Sequence, residues 1–175
     1  MLSTENRIEK YILQEDWQKA RSLILKDLNK TPEDHWLLTR LSTTYYEEHK
    51  YKKALKIVEK ALKYAPKCPL VLWDYAGTLD MVGQHREAIK IWKKLLMIGT
   101  DKIAYDECGE GLRWARSLLN DSRYRIGLSY RKMGMLKKAS NYIYAHITHR
   151  APGIPSIYLL SAAKRELNDI GNQLQ

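Results

Sequence analysis

The sequence predicts an all-α chain of stacked helical hairpins, and three observations predict it. The first is the stretch from His35 to Cys68. There Leu38, Leu41, Tyr45, Ala54, Val58 and Ala61 describe two helices, each with one apolar stripe, joined by a turn around His49–Lys50. The second is recurrence at a fixed offset. Moving back 34 residues sets Tyr11 under Tyr45, Trp17 under Tyr51, Ala20 under Ala54 and Pro32 under Pro66. Moving forward 34 sets Leu72 under Leu38, Gly83 under His49, Ala88 under Ala54 and Trp92 under Val58. An offset of 51 finds a further copy with Ile126, Gly127, Tyr130, Gly134, Ala139 and Ile143. The third is punctuation. Pro32, Pro66, Pro69 and Pro152 stand between units, and Gly83 and Gly134 stand at turns. A lone hairpin of this size cannot bury its stripes, so copies must stack on either side.

This spacing resembles the tetratricopeptide repeat family, whose pattern is W-x2-L-G-x2-Y, then A-x3-F, then P. The second copy keeps Leu41-Ser42-x2-Tyr45, Ala54-x3-Val58 and Pro66, with Leu38 where the family prefers Trp. The last copy keeps Gly127-x2-Tyr130 and Gly134. The resemblance implies a right-handed α-α superhelix (a solenoid) of about four hairpins plus a C-terminal capping helix. The alanines mark where the helices of a hairpin come closest, and Ser42 and Gly127 permit the same approach. These are packing positions rather than site residues.

Taken in order, the hairpins fall at about residues 3–32, 35–68, 69–99 and 120–152 of a single domain. Ser3 or Thr4 suits the first N-cap. Thr31 is the expected N-cap of the second hairpin, with Pro32 in its first turn and Glu33 and Asp34 complementing the helix dipole. Regularity fails over an insertion at 100–119, where Thr100–Gly111 reads as a loop. From Leu112 the stripe of Leu112, Ala115, Leu119, Ile126, Tyr130 and Met133 predicts one long or kinked helix, although Asn120-Asp121-Ser122 offers a break. A capping helix is expected at 156–171, capped by Ser156, with Ile157, Leu160, Ala163, Leu167 and Ile170 along one face.

The chain has 175 residues and a net charge of +10. Between His35 and Cys68 eight basic residues face three acidic ones, and most of the lysines fall on the second helix of that hairpin. A solvated outer face and a surface for an acidic partner or a nucleic-acid backbone are both open readings. No apolar run is long enough to cross a membrane, and the first residues lack an apolar signal core. The two cysteines, Cys68 and Cys108, show no metal-ligand spacing, so a reducing, cytoplasmic setting is the default expectation.

No catalytic set is legible, and no cofactor is implied. His146 and His149 lie three apart without an HExxH arrangement, and Gly109-Glu110-Gly111 lacks the Lys-Ser/Thr of a phosphate loop. Cys108 would act as a nucleophile only if a histidine folded beside it. The resemblance instead implies a non-catalytic protein-binding module, an adaptor, scaffold or chaperone, whose concave groove is lined by the first helix of each hairpin. Its groove-facing residues would be Trp36, Thr39, Thr43, Tyr46, Glu47, Trp73, Gly77, Asp80, Met81, Tyr124, Arg131 and Lys132, suiting a peptide or a helix. Some family members grip a C-terminal carboxylate at places that here carry Glu5, Glu9, Trp36, Arg40, Leu70 and Asp74, so that clamp is absent. The insertion is the second candidate surface, with Arg113, Trp114, Arg116, Arg123 and Arg125 either paired with neighbouring acids or offered to a carboxylate or phosphate. Two alternatives stand beside the protein-binding reading: a basic helical-repeat protein binding RNA, and a small immunity or inhibitor protein using the insertion as its contact. An open solenoid end would also permit a homodimer.

Overall fold

The computed structural model describes residues 3–174, and among them it contains ten α-helices and no strand. They are α1 (Thr4–Leu13), α2 (Trp17–Leu28), α3 (His35–Glu47), α4 (Tyr51–Tyr64), α5 (Pro69–Met81), α6 (His85–Ile98), α7 (Thr100–Ala104), α8 (Gly111–Lys132), α9 (Leu136–Thr148) and α10 (Leu160–Gln173). Packing divides the chain into two compact units, Met1–Thr78 and Leu79–Gln175, with the division inside α5.

In the first unit α1 packs on α2, α2 on α3 and α3 on α4. Buried Ile8, Ile24, Leu37 and Leu41 form its core, with Ile12, Leu28, Trp36, Tyr45 and Ile57 packed around them. Ser3 and Asp16 cap α1 and α2 by accepting from the backbone N–H groups of Asn6 and Lys19. The cap of α3 is Asp34, accepting from Leu37 N at 3.0 Å, and not the expected Thr31. Thr31 instead donates its hydroxyl to the Asp27 carbonyl and closes α2. The same carbonyl accepts from the backbone N–H groups of Lys30 and Thr31, so the hydroxyl joins the bonds that close the last turn of α2.

In the second unit α6 and α7 both pack on α8, α8 on α9, and α9 on α10. Trp92, Leu95, Ile103, Ala115, Ile126, Ile143 and Ile170 are fully buried there. The segment expected as a loop begins with a short helix, α7, because Ile103 and Ala104 have an apolar face of α8 to bury against. α8 runs unbroken through Asn120-Asp121-Ser122. Those side chains bond elsewhere: Asn120 Nδ2 donates to the His146 carbonyl at 3.1 Å and Ser122 Oγ to the Leu118 carbonyl at 2.7 Å. Ser156 is not a helix cap. It donates to Asp121 Oδ1 at 2.5 Å, and α10 starts later, at Leu160.

The repeat is written into the backbone. The residues with positive φ at the hairpin turns are Glu15 (56°), His49 (60°), Gly83 (86°) and Gly134 (71°), spaced as the sequence copies are. Ala20, Ala54, Ala88 and Ala139 are each fully buried. A lysine eight places after the repeat tyrosine lies over its ring in three hairpins: Lys19 on Tyr11 at 5.6 Å, Lys53 on Tyr45 at 5.5 Å and Lys138 on Tyr130 at 5.6 Å.

Candidate partner-binding site

In the first unit the expected site residues divide. Thr39 is fully buried and its hydroxyl donates to the Trp36 carbonyl at 2.7 Å, so the structure removes it from any surface. Trp36 is half-buried against the core. Tyr46 stands edge-on to Tyr51 at the hairpin turn, with ring centroids 5.3 Å apart. Glu47 is exposed, and Thr43 and Trp73 are half-buried.

A cluster forms between these residues that the sequence reading passes over. Arg40 on α3 lies 5.5 Å from the Trp36 ring centroid, and its Nε is 3.0 Å from Glu9 Oε1 on α1. Arg40 Nε lacks the alignment of a true hydrogen bond, so this contact is an ion pair only. Thr43 Oγ1 donates to the Thr39 carbonyl at 3.0 Å and reaches Asp74 Oδ2 on α5 at 3.4 Å. Burial pushes the Asp74 carboxyl up to about 6. Arg40 and the Thr43 hydroxyl pull it down, while Glu47 and Glu9 push it further up. Arg40 thus pairs with Glu9 and also acts on Asp74, whose carboxyl feels Glu47 as well. Glu9, Arg40 and Asp74 enter the sequence reading only as places where a carboxylate clamp is missing. Acids replacing the clamp's cations were the signal available there.

In the second unit Asp80 is buried and already saturated, so it is a structural anchor and not a surface group. It accepts from Ser129 Oγ at 2.6 Å, His85 Nδ1 at 2.7 Å and Lys132 Nζ at 2.8 Å, with Arg125 at 3.7 Å. Burial alone would raise its pKa, but the bonds from Lys132, Ser129 and His85 outweigh it and hold the carboxyl below the usual range. Tyr124 is likewise buried, its ring tilted against those of His146 and Tyr158 with centroids 4.9 and 4.6 Å away. Arg131 pairs with Glu166 of α10. Three residues expected on a surface, Asp80, Tyr124 and Arg131, therefore bind the second unit together, as does the Lys132 ammonium.

The arginines after the insertion also divide. Arg125 lies over the Trp92 ring at 5.2 Å and belongs to the Asp80 cluster. Arg123 is half-buried, and burial lowers its pKa. Arg113 and Arg116 are exposed beside half-buried Trp114. His146 is fully buried, its Nδ1 donating to the Asn120 carbonyl at 3.0 Å, whereas His149 is exposed and bonds the Ala145 carbonyl. Neither Cys68, which is buried, nor Cys108, which is half-buried, is in a disulfide. No helix among the described residues is long and apolar enough to cross a membrane.

The tetratricopeptide repeat family model matches residues 45–107. A crystal structure of MamA superposes with a TM-score of 0.70 at 18% identity, covering 95% of this chain and 84% of that one. The apo form of RapI superposes with a TM-score of 0.75 at 17% identity, covering 97% of this chain and 62% of that one. A tetratricopeptide repeat protein from Parabacteroides merdae gives 0.64 at 16% identity, covering 97% and 59%. No curated protein matches the chain. Identities this low establish the fold alone. The family match is confined to residues 45–107, and over its length the chain has the all-α tetratricopeptide-repeat fold of these structures.

Proposed function

We propose that the chain is a non-catalytic protein-binding module that holds an extended peptide on the face shared by α1, α3 and α5 of its first unit. The observation that carries this reading is the cluster of Glu9, Arg40, Thr43, Glu47 and Asp74 beside Trp36. Three carboxyl groups against one guanidinium leave that face short of positive charge. A half-buried indole adds apolar contact next to it. The peptide that complements this face carries lysine or arginine, and the cation would settle the ionised form of Asp74.

The test is selection from a displayed random-peptide library, followed by titration of the winning peptide. Peptides rich in Lys or Arg are expected. Their affinity should rise several-fold from pH 5 to pH 7, because Asp74 ionises near pH 6 and only the ionised form attracts a cation. The rise should vanish in Asp74→Asn, and Glu47→Lys should weaken binding at every pH. Enrichment of acidic or free-carboxylate peptides, or an unchanged pH profile in Asp74→Asn, would overturn the reading.

A further inference from the structure

We infer that the exposed lysine row of α4 is a docking surface for the phosphate backbone of a single-stranded nucleic acid. The row consists of Lys52, Lys56, Lys60 and Lys63 on α4, with Lys67 just past its end, and all five are exposed. At 3.6 residues per turn the four helical lysines share less than a quarter of the circumference, and they span about 16 Å along the axis. The opposite side of α4, with Ala54, Val58 and Ala61 fully buried, is the one packed on α3.

Three other lysines of this unit are already paired, Lys19 with Asp16, Lys30 with Asp27 and Lys50 with Glu48. The row itself has no ion pair among the described residues, and the single acid on its face is Glu59. Tyr64, 56% exposed, sits one place after Lys63.

The shape and chemistry of the row select its occupant. It is a line rather than a plane, which fits a linear polyanion. Stable attachment to a lipid surface takes an apolar anchor besides a basic patch, and the apolar stripe of α4 is buried under the helix. An acidic protein segment would gain little from exposed lysine–carboxylate pairs. Phosphates neutralised in sequence release condensed counterions, and lysine contacts them as a point charge without reading the bases. The exposed Tyr64 ring adds a stacking face that a single strand can use and a duplex cannot. This surface is independent of the peptide face proposed above.

The experiment is fluorescence anisotropy of a labelled oligouridine with the full chain. Binding is expected at low salt, falling roughly fifty-fold between about 50 and 200 mM salt if about four phosphates are neutralised. Lys56→Glu/Lys60→Glu/Lys63→Glu should weaken it by more than tenfold while circular dichroism stays unchanged, and Tyr64→Ala should weaken it about fivefold or more. Glu59→Lys should tighten it several-fold, a gain that misfolding cannot mimic. Absence of binding at low salt overturns the inference, as does a triple variant that binds like the native chain. Equal competition by polyglutamate or by phosphatidylserine vesicles overturns it too, because either would assign the row to another class of partner.

Discussion

Glu15 and His49 adopt the left-handed backbone that the equivalent positions Gly83 and Gly134 reach without a Cβ. A side chain there crowds the following carbonyl and costs about 1 kcal/mol, less for residues that bond locally. His49 recovers part of that cost, since its Nδ1 lies 2.6 Å from the Tyr51 hydroxyl. No bond of this kind is present for Glu15 among the described contacts, which makes it the cleaner test. Glu15→Gly should raise the urea midpoint, with a gain of about 0.5–1 kcal/mol after the added chain entropy of glycine is counted. Gly134→Ala should lower stability by about 1 kcal/mol or more. Equal stabilities for the native chain and both variants would show that the turns are not held in this conformation. At the same scale, the binding candidates from sequence fare unevenly. Spacing alone puts Thr39, Asp80 and Tyr124 on a helix face, but it cannot say whether that face is covered. Thr39 turns its hydroxyl into its own helix, and Asp80 finds three donors from α6 and α8.

Closest approach within a hairpin is a property of the element, and α8 against α9 sets its limit. A Cβ built on Gly127 would lie 2.6 Å from Ile143 Cγ1 and 3.2 Å from the Ala139 carbonyl oxygen. Ser42, its counterpart on α3, fits only by donating its hydroxyl to the Ala54 carbonyl at 3.0 Å. Gly127→Ala should therefore lose about 1–3 kcal/mol by overpacking, although alanine is the better helix former. Urea unfolding measures the balance; a stabilised variant would mean that α9 yields and helix propensity wins. The same elements show what a sequence can disclose. The alanine, glycine and tyrosine of each hairpin are legible because their spacing repeats and each has one physical reason. α7 is not legible, since five residues with one buried pair carry no period and α8, distant in sequence from their own stripe, supplies the surface they pack on. Ser156 looks like a cap because it precedes an apolar stripe. The buried Asp121 carboxylate, 35 residues away, takes its hydroxyl and also the Ile157 N–H.

Over the whole molecule the buried ionisable groups give the two units opposite responses to acid. In the first, the raised pKa of Asp74 means that the folded unit binds its proton before the unfolded chain does. The Asp74 contribution to stability therefore rises as pH falls through about 6 and is complete near the ordinary carboxylate value of 3.8. In the second, burial lowers the pKa of His146, with the Asn120 carbonyl and Asp121 opposing the shift, and His146 Nε2 has no hydrogen-bond partner among the described residues. The unfolded chain takes up that proton first, so stability falls as pH drops below 6.5, the ordinary histidine value. Asp121 works against this loss. Burial raises its pKa, although the Ser156 hydroxyl and the Ile157 N–H hold it back toward the charged form. Hydrogen exchange read by mass spectrometry at pH 7 and pH 5, corrected for intrinsic rates, separates the units. Peptides from α3 and α4 should gain protection at pH 5, and peptides from α8 and α9 should lose it. Asp121→Asn removes the opposing carboxyl, so the loss in α8 and α9 should steepen. Parallel changes in both sets of peptides would mean that these buried groups do not govern the acid response of the two units.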